Sequence, residues 1–391
     1  MGALDGVRVI DAGVLIQAPQ AAALLGQFGA DVIKVELPGF GDQARWLPVT
    51  LGDTRSAFFA AHNRGKRSVT VDLRVTGGRE VFLRIVEGAD VLLSNFAPGT
   101  LDAWGLGDEV LWARNPRLVH ASGSAFGPDG PDAGREGADL SGQASGGLIS
   151  ATGVDGGDPT PVAVTIADHI AGQNLVAGVL AALLARGRTG RGQRVDGSLL
   201  GGQIWAQAGE YTAYLMTGSV PGRPNRGHPL IAGIYGIFPT SDGWIAVVGV
   251  TPRLKAAFYA AIGRPELLHD ERFAAPLLTH ADKAALFAEL ATTFRDRTTT
   301  EWCTVLEAAG QRFAPVRDYA QVAADPQVWV NGYLASDGDG TSIVGVPVRF
   351  SDTPARVGAE PPELGQHTEE VLLEHGYTWE DIAALRDAGA I

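Results

Sequence analysis

Val7-Arg-Val-Ile-Asp11, then Pro19-Gln-Ala-Ala-Ala-Leu-Leu-Gly-Gln-Phe28, then Gly29-Ala-Asp-Val-Ile-Lys34-Val-Glu36 is the stretch whose reading decides the fold. Its outer pieces are short, apolar and β-branched, and its middle is a run of alanine and leucine. Strand, helix, strand in that order is a βαβ unit, which implies a parallel sheet. No G-x-G-x-x-G follows the first strand, so the dinucleotide fingerprint is absent. The pattern recurs. An alternating strand is expected at 68–73, a helix at about 77–88, and buried strands at Val91-Leu-Leu-Ser94 and Leu118-Val-His-Ala-Ser122. Open parallel sheets bind ligands outside the carboxyl ends of their strands. The loops at 37–46, 72–75, 95–99 and 122–130 are therefore the expected walls of a site.

The composition suits a large soluble chain of more than one domain: 391 residues, 45% hydrophobic and 19% charged. A net charge of −13 argues against nucleic acid as a general partner. The single cysteine, Cys303, excludes an intrachain disulfide and reads as a packed small side chain. No signal-peptide pattern opens the sequence, and the apolar run at 174–185 is short for a bilayer. A cytoplasmic protein without a membrane partner is the expectation. The domains are read as 1–217, a large α/β domain, and 218–329, a smaller α+β domain with a Phe238-Pro-Thr-Ser-Asp-Gly243 hairpin. Residues 330–391 return to the large domain.

Pro161-Val-Ala-Val-Thr-Ile-Ala-Asp168 leads into a long small-residue stretch ending at Arg186. The simplest parse is strand, carboxylate, buried helix, with Asp168 at or near the N-cap. Taken alone that position is an ordinary cap, because Asp is a preferred cap residue. Its neighbour His169 points about 100° away on a helix and reads as a packing group. The turn Arg64-Gly-Lys-Arg67, with Arg74, can hold phosphate or can be a solvated strand entry. Asn95-Phe96 can hold a ring or simply end a strand. The eight histidines show no metal spacing, and neither a G-x-S-x-G elbow nor a P-loop is present.

Taken together, motifs in fixed order along nearly the whole chain resemble the class III CoA-transferases. They are Leu4-Asp-Gly-Val-Arg-Val-Ile-Asp11, Phe28-Gly-Ala-Asp-Val-Ile-Lys-Val-Glu36, Pro38-Gly-x-Gly-Asp42, Asn63-Arg-Gly-Lys-Arg-Ser68 and Asn95-Phe-x-Pro-Gly99. Then follow Gln143-Ala-Ser-Gly-Gly147, Thr189-Gly-Arg-Gly-Gln193, Ala314-Pro-Val316 and Leu364-Gly-x-His-Thr368. The resemblance implies a Rossmann-like parallel-sheet domain with a smaller α+β domain, in an interlocked homodimer that does not part on dilution. It implies that Asp168 is the nucleophile, passing through an acyl anhydride and an aspartyl-CoA thioester. It implies CoA and acyl-CoA as substrates, a carboxylic acid as acceptor, and no tightly bound cofactor or metal. By the same resemblance CoA contacts fall on Gln17, Ala18, Val71, Asp72, Leu73, Arg74, Asn95, Phe96, Ala97, Gly137, Ala138 and Asp139. The helix amides beside Asp168 are expected to stabilise oxyanions.

Two departures qualify this. Leu37 and Ala103 stand where relatives commonly carry arginines, so Arg45, Arg64 or Arg74 are the expected phosphate partners. Ala138 replaces the histidine, and Thr251 the glutamate, that serve as bases in the racemase branch. Transfer is therefore favoured over an acyl-CoA racemase of the alpha-methylacyl-CoA type, and over a CoA-binding protein without activity. The segment Arg226-Gly-His-Pro-Leu-Ile-Ala-Gly233 has only two glycines, so formyl or oxalate substrates are not assigned.

Overall fold

The computed structural model describes residues 1–223, 227–231, 233–275, 278–337 and 340–391. Arg226 and Ala232 of the segment singled out above lie outside them. The chain packs as two compact units. One holds Met1–Gly146, Ala163–Ala206 and Pro326–Ile391; the other holds Gly147–Val162 and Gln207–Asp325. These breaks fall at 206/207 and 325/326, against 217/218 and 329/330 from sequence, and the short piece 147–162 joins the second unit.

The first unit is a mixed α/β fold built on six parallel strands: β1 (Arg8–Asp11), β2 (Asp31–Glu36), β3 (Arg67–Thr70), β4 (Val91–Ser94), β5 (Val119–Ser124) and β6 (Arg194–Ser198). Their order is β3-β2-β1-β4-β5-β6. The order reverses between β1 and β4, which is where ligands bind in doubly wound sheets. Strands buried on both faces read as continuous apolar runs, and β4 is buried throughout. Helix Thr76–Glu87 covers one face with Phe82 and Ile85. Helices Gln17–Gln27 and Ile166–Thr189 cover the other with Leu25, Leu175 and Val179. The C-terminal helices return to β3, where Thr70 N donates to Thr368 Oγ1 and Asp72 N to the Ala390 carbonyl.

Three expectations need correction. Residues 161–165 form no strand; the edge beside β5 is taken by β6, and the segment lies exposed or half-buried before the helix. The helical stretch at 198–217 is two helices, Leu199–Ala206 and Ala208–Thr217. The apolar helix was undercounted: Ile166–Thr189 has 24 residues, long and apolar enough by length and composition to cross a membrane. It packs instead on β5, β6 and helix Gln17–Gln27. Small residues permit that approach, since a Cβ on Gly178 would sit 2.5 Å from Val195.

The second unit has a three-stranded antiparallel sheet, β7 (Ile234–Pro239), β8 (Trp244–Val250) and β9 (Phe313–Pro315). Thr240 N donates to the Gly243 carbonyl and closes the expected Asp-Gly turn. Helices Lys255–Ala261, His280–Phe294 and Thr299–Ala308 pack Phe258, Phe294 and Trp302 into its core against Phe238. Cys303 is half-buried at the edge of this core, and burial pushes its thiol up, away from reactivity.

Candidate active site

Asp168 is the third residue of helix Ile166–Thr189, inside the first turn rather than at the cap. The capping is done from a distance by Asp139. Its Oδ1 accepts the amides of Ala167 at 2.6 Å and Asp168 at 3.2 Å, and its Oδ2 accepts Gln143 Nε2 at 2.6 Å. The remaining first-turn amides are also engaged: Ile166 N on the Val164 carbonyl and His169 N on Thr165. The expected oxyanion hole of helix amides is therefore already filled, because a second carboxylate reached it first.

Asp168 is left half-buried, and among the described residues no group donates a hydrogen bond to its carboxylate. Burial, then the Asp139 charge, pushes its pKa up to about 7. Nearby, the His169 ring lies 5.4 Å from that of His62, tilted at 47° to it, and burial holds the His62 pKa down to about 4. His169 is thus the packing group expected. One turn on, a Cβ at Gly172 would meet Gln20 Oε1 at 2.2 Å and the Gln17 carbonyl at 2.8 Å. Glycine there lets helix Gln17–Gln27 approach the Asp168 helix.

At the carboxyl ends of β1 to β4 lies a cavity of about 250 Å³. Val71, Asp72, Leu73, Arg74 and Phe96 line it, as the loop argument expected, together with Gly13, Leu37 and Trp104. The other assigned contacts are not gathered there. Gln17 is buried with its amide on the Ser124 carbonyl at 3.3 Å, and Ala18 is fully buried against Gly13. Asn95 clamps Val14, accepting its N–H at 2.8 Å and donating to its carbonyl at 2.9 Å. That clamp bridges the loops after β1 and β4 and fixes the Asn95 side chain between them. Ala97 is exposed on the adjoining small cleft. Gly137 and Ala138 are exposed just before helix Asp139–Ser145, while Asp139 is turned inward as the cap.

The cations expected to meet phosphate are already paired. Arg45 forks onto Glu36 at 2.8 Å, Arg64 bonds Asp337 and Glu360, Arg67 bonds Asp31 and Glu374, and Arg74 bonds Asp72 at 2.7 Å. Lys66 is buried on Asp11 at 2.6 Å, and burial lowers its pKa to about 8. The basic turn is thus neither a solvated strand entry nor an open phosphate cradle. Of these groups Arg74 is the most exposed, at 58%, and it stands on the cavity rim.

Sequence reasoning missed the buried network beneath the cavity. Lys34 Nζ lies 2.8 Å from Asp42 and 3.5 Å from Asp11, and donates to the Gly13 carbonyl at 3.1 Å. Asp42 Oδ1 accepts the amide of Leu15, which has φ +61°, a conformation costly for a leucine. The available signal was charge inside apolar strands: Asp11, Lys34 and Glu36 occupy positions that water does not reach.

Comparison with known proteins agrees with this architecture. The pattern of CoA-transferase family III matches residues 4–368. The chain is 37% identical to the succinyl-CoA–L-malate CoA-transferase beta subunit of Chloroflexus aurantiacus, covering 95% of this chain and 93% of that one. It is 31% identical to the human succinyl-CoA:glutarate CoA-transferase, covering 99% and 90%. A CaiB/BaiF family protein from Brucella suis superposes with a TM-score of 0.85 at 34% identity, covering 96% and 99%. With its six-stranded parallel sheet and its ordered motifs, this chain belongs to CoA-transferase family III.

Proposed function

We propose that the protein moves CoA from an acyl-CoA thioester to a carboxylic acid acceptor, with Asp168 as the covalent carrier. The Asp168 carboxylate attacks the thioester carbonyl and expels CoA thiolate, forming a mixed anhydride. The thiolate attacks the aspartyl carbonyl of that anhydride, releasing the first acid and leaving an aspartyl-CoA thioester. The acceptor carboxylate attacks this thioester to give a second anhydride, and CoA then takes the new acyl group and frees Asp168. Each carboxylate or thiolate leaves as another bonds, so the thioester's energy is kept throughout.

One observation carries this reading: Asp168 is a half-buried carboxylate to which no described residue donates a hydrogen bond, with its pKa lifted to about 7. Such an anion sheds no donors on bonding to carbon, so its lone pair is available where an ordinary capping aspartate's is not. The test is to incubate acyl-CoA with the enzyme, trap with hydroxylamine and map the product. A hydroxamate at position 168, and a new CoA ester once an acceptor acid is added, are expected; Asp168→Ala is the control. Exchange of the α-hydrogen in deuterated water, without a new ester, would point to racemisation instead.

The raised pKa predicts a pH profile. Asp168 must be ionised to attack, so kcat/KM rises with pH through a midpoint near 7. Asp139→Asn removes a charge while keeping an oxygen for the Ala167 and Asp168 amides, so that midpoint moves to lower pH. An unmoved midpoint would leave burial as the whole cause.

In this reading CoA lies across the cavity lined by Val71–Arg74 and Phe96, with Arg74 offered to a phosphate. Ala18 and Asn95 act on the cavity through the Gly13–Val14 loop that they hold, with Gln17 buried behind them, and Gly137–Asp139 border the Asp168 end. The protein acts in the cytoplasm, without a membrane, as an interlocked homodimer. Large apolar side chains support the last point: Leu184, Trp205, Leu215 and Met216 are each more than 70% exposed in the single chain. Sedimentation should find a dimer that persists on dilution until the chain unfolds. A reversible monomer would remove this part.

A further inference from the structure

The second unit contains a cavity of about 530 Å³ that shares no residue with the Asp168 site. Its volume falls within the usual range of small-molecule sites, about 300–1,000 Å³. Ile237 and Phe238 of β7, with Phe287 and Ala291 of helix His280–Phe294, give it an apolar wall. Two cations stand on this wall. Lys283 Nζ donates to the carbonyls of His228 at 3.0 Å and Ile231 at 3.1 Å, which leaves one ammonium hydrogen uncommitted. Arg223 donates to the carbonyls of Ser150, Val154, Gly157 and Asp158, pinning the 147–162 segment beside the cavity.

Neither cation has a carboxylate at ion-pairing distance among the described residues, unlike Arg45, Arg64, Arg67 and Arg74 of the first unit. Burial lowers the Lys283 pKa from its ordinary value. Among the described residues, the other ionisable groups lining the cavity are His228, paired with Glu210 at 2.8 Å, and Asp155, which is itself engaged. A partly buried ammonium such as that of Lys283, with no anion beside it, is costly, and an anionic ligand offsets that cost.

We infer that this cavity is a binding site for an amphipathic monocarboxylate, its carboxylate on Lys283 and its alkyl or aryl tail along Phe287 and Ala291. The site uses none of the groups assigned to the transfer reaction, and so stands or falls apart from them.

The test is photo-crosslinking of the full-length protein with an octanoate carrying a diazirine on its chain, mapped by mass spectrometry. Label is expected on helix His280–Phe294, displaced by octanoate but not by 1-octanol. Lys283→Met should lower that label about tenfold or more, the usual worth of a charge-assisted hydrogen bond, while Lys283→Arg retains most of it. Ala291→Trp, which fills the tail end with both cations intact, should lower it as well. Label confined to residues 12–14, 37–43 or 71–74, equal displacement by 1-octanol, or full labelling of Lys283→Met would each overturn the assignment.

Discussion

Asp168→Asn is expected to slow CoA exchange by ~10³-fold or more while leaving the protein folded, because it removes a covalent carrier rather than a binding contact. The measurement is the rate of new CoA ester formation from a donor that the wild-type enzyme turns over. Loss of rate with little change in the affinity for CoA is the expected pattern. A variant exchanging at more than a tenth of the wild-type rate would remove Asp168 from the mechanism. The same variant carries a second signature, in stability. Asp168 has a folded pKa of about 7, above its ordinary 3.8, so the folded state holds this proton more tightly than the unfolded chain. Wild-type stability therefore falls as pH rises from about 4 through 7, and the loss is complete above 7. Asparagine has no such loss. Asp168→Asn should match wild type near pH 4 and exceed it at pH 8, by about 1–3 kcal/mol after allowance for solvent around a half-buried group. A residue kept only as a helix cap would show the reverse, since its replacement would destabilise at neutral pH.

Lys34→Met is expected to cost about 3–5 kcal/mol of stability, a large part of the 5–15 kcal/mol that separates folded from unfolded domains. Lys34 is fully buried, and burial works against its charge. Asp11, Asp42 and Glu36 outweigh that and hold its pKa above the ordinary lysine value. Removing it leaves Asp11 with Lys66 alone and takes from Asp42 its ammonium partner at 2.8 Å. It also frees the Gly13 carbonyl that Lys34 holds, and with it the loop that carries Leu15 at positive φ. Thermal and urea unfolding should both record the loss. Lys66→Met is expected to cost less, because burial already lowers the Lys66 pKa to about 8 and weakens its hold on its proton. Equal, small effects from the two substitutions would show that the network is dispensable to the loop.

Much of the parallel sheet was legible in the chain because it rests on local signals. Apolar β-branched runs such as Val91–Ser94, separated by alanine- and leucine-rich helices, can bury themselves only as parallel strands covered on both faces. The Asp-Gly hairpin was legible for the same reason, since a turn is decided within four residues. The segment 161–165 misled, because its apolar run has the strand pattern but no free sheet edge to join. Edge occupancy depends on β6, some thirty residues further on. The basic turn misled for a related reason: Arg64 finds Asp337, 273 positions away, and nothing local announces that partner.

From the sequence alone came the βαβ alternation, the order of motifs that carries the family resemblance, and Asp168 as the carboxylate to question. These follow from periodicity and from residues read in line. Only the tertiary structure decided which charges are spoken for and which are not. It brought Asp139 onto the amides beside Asp168 and paired Arg45, Arg64, Arg67 and Arg74, and among the described residues it left Asp168 without donors and Lys283 and Arg223 without carboxylates. The physical reason is that a charge's energy is set by what surrounds it in space at a few ångströms. Those neighbours come from anywhere in the chain.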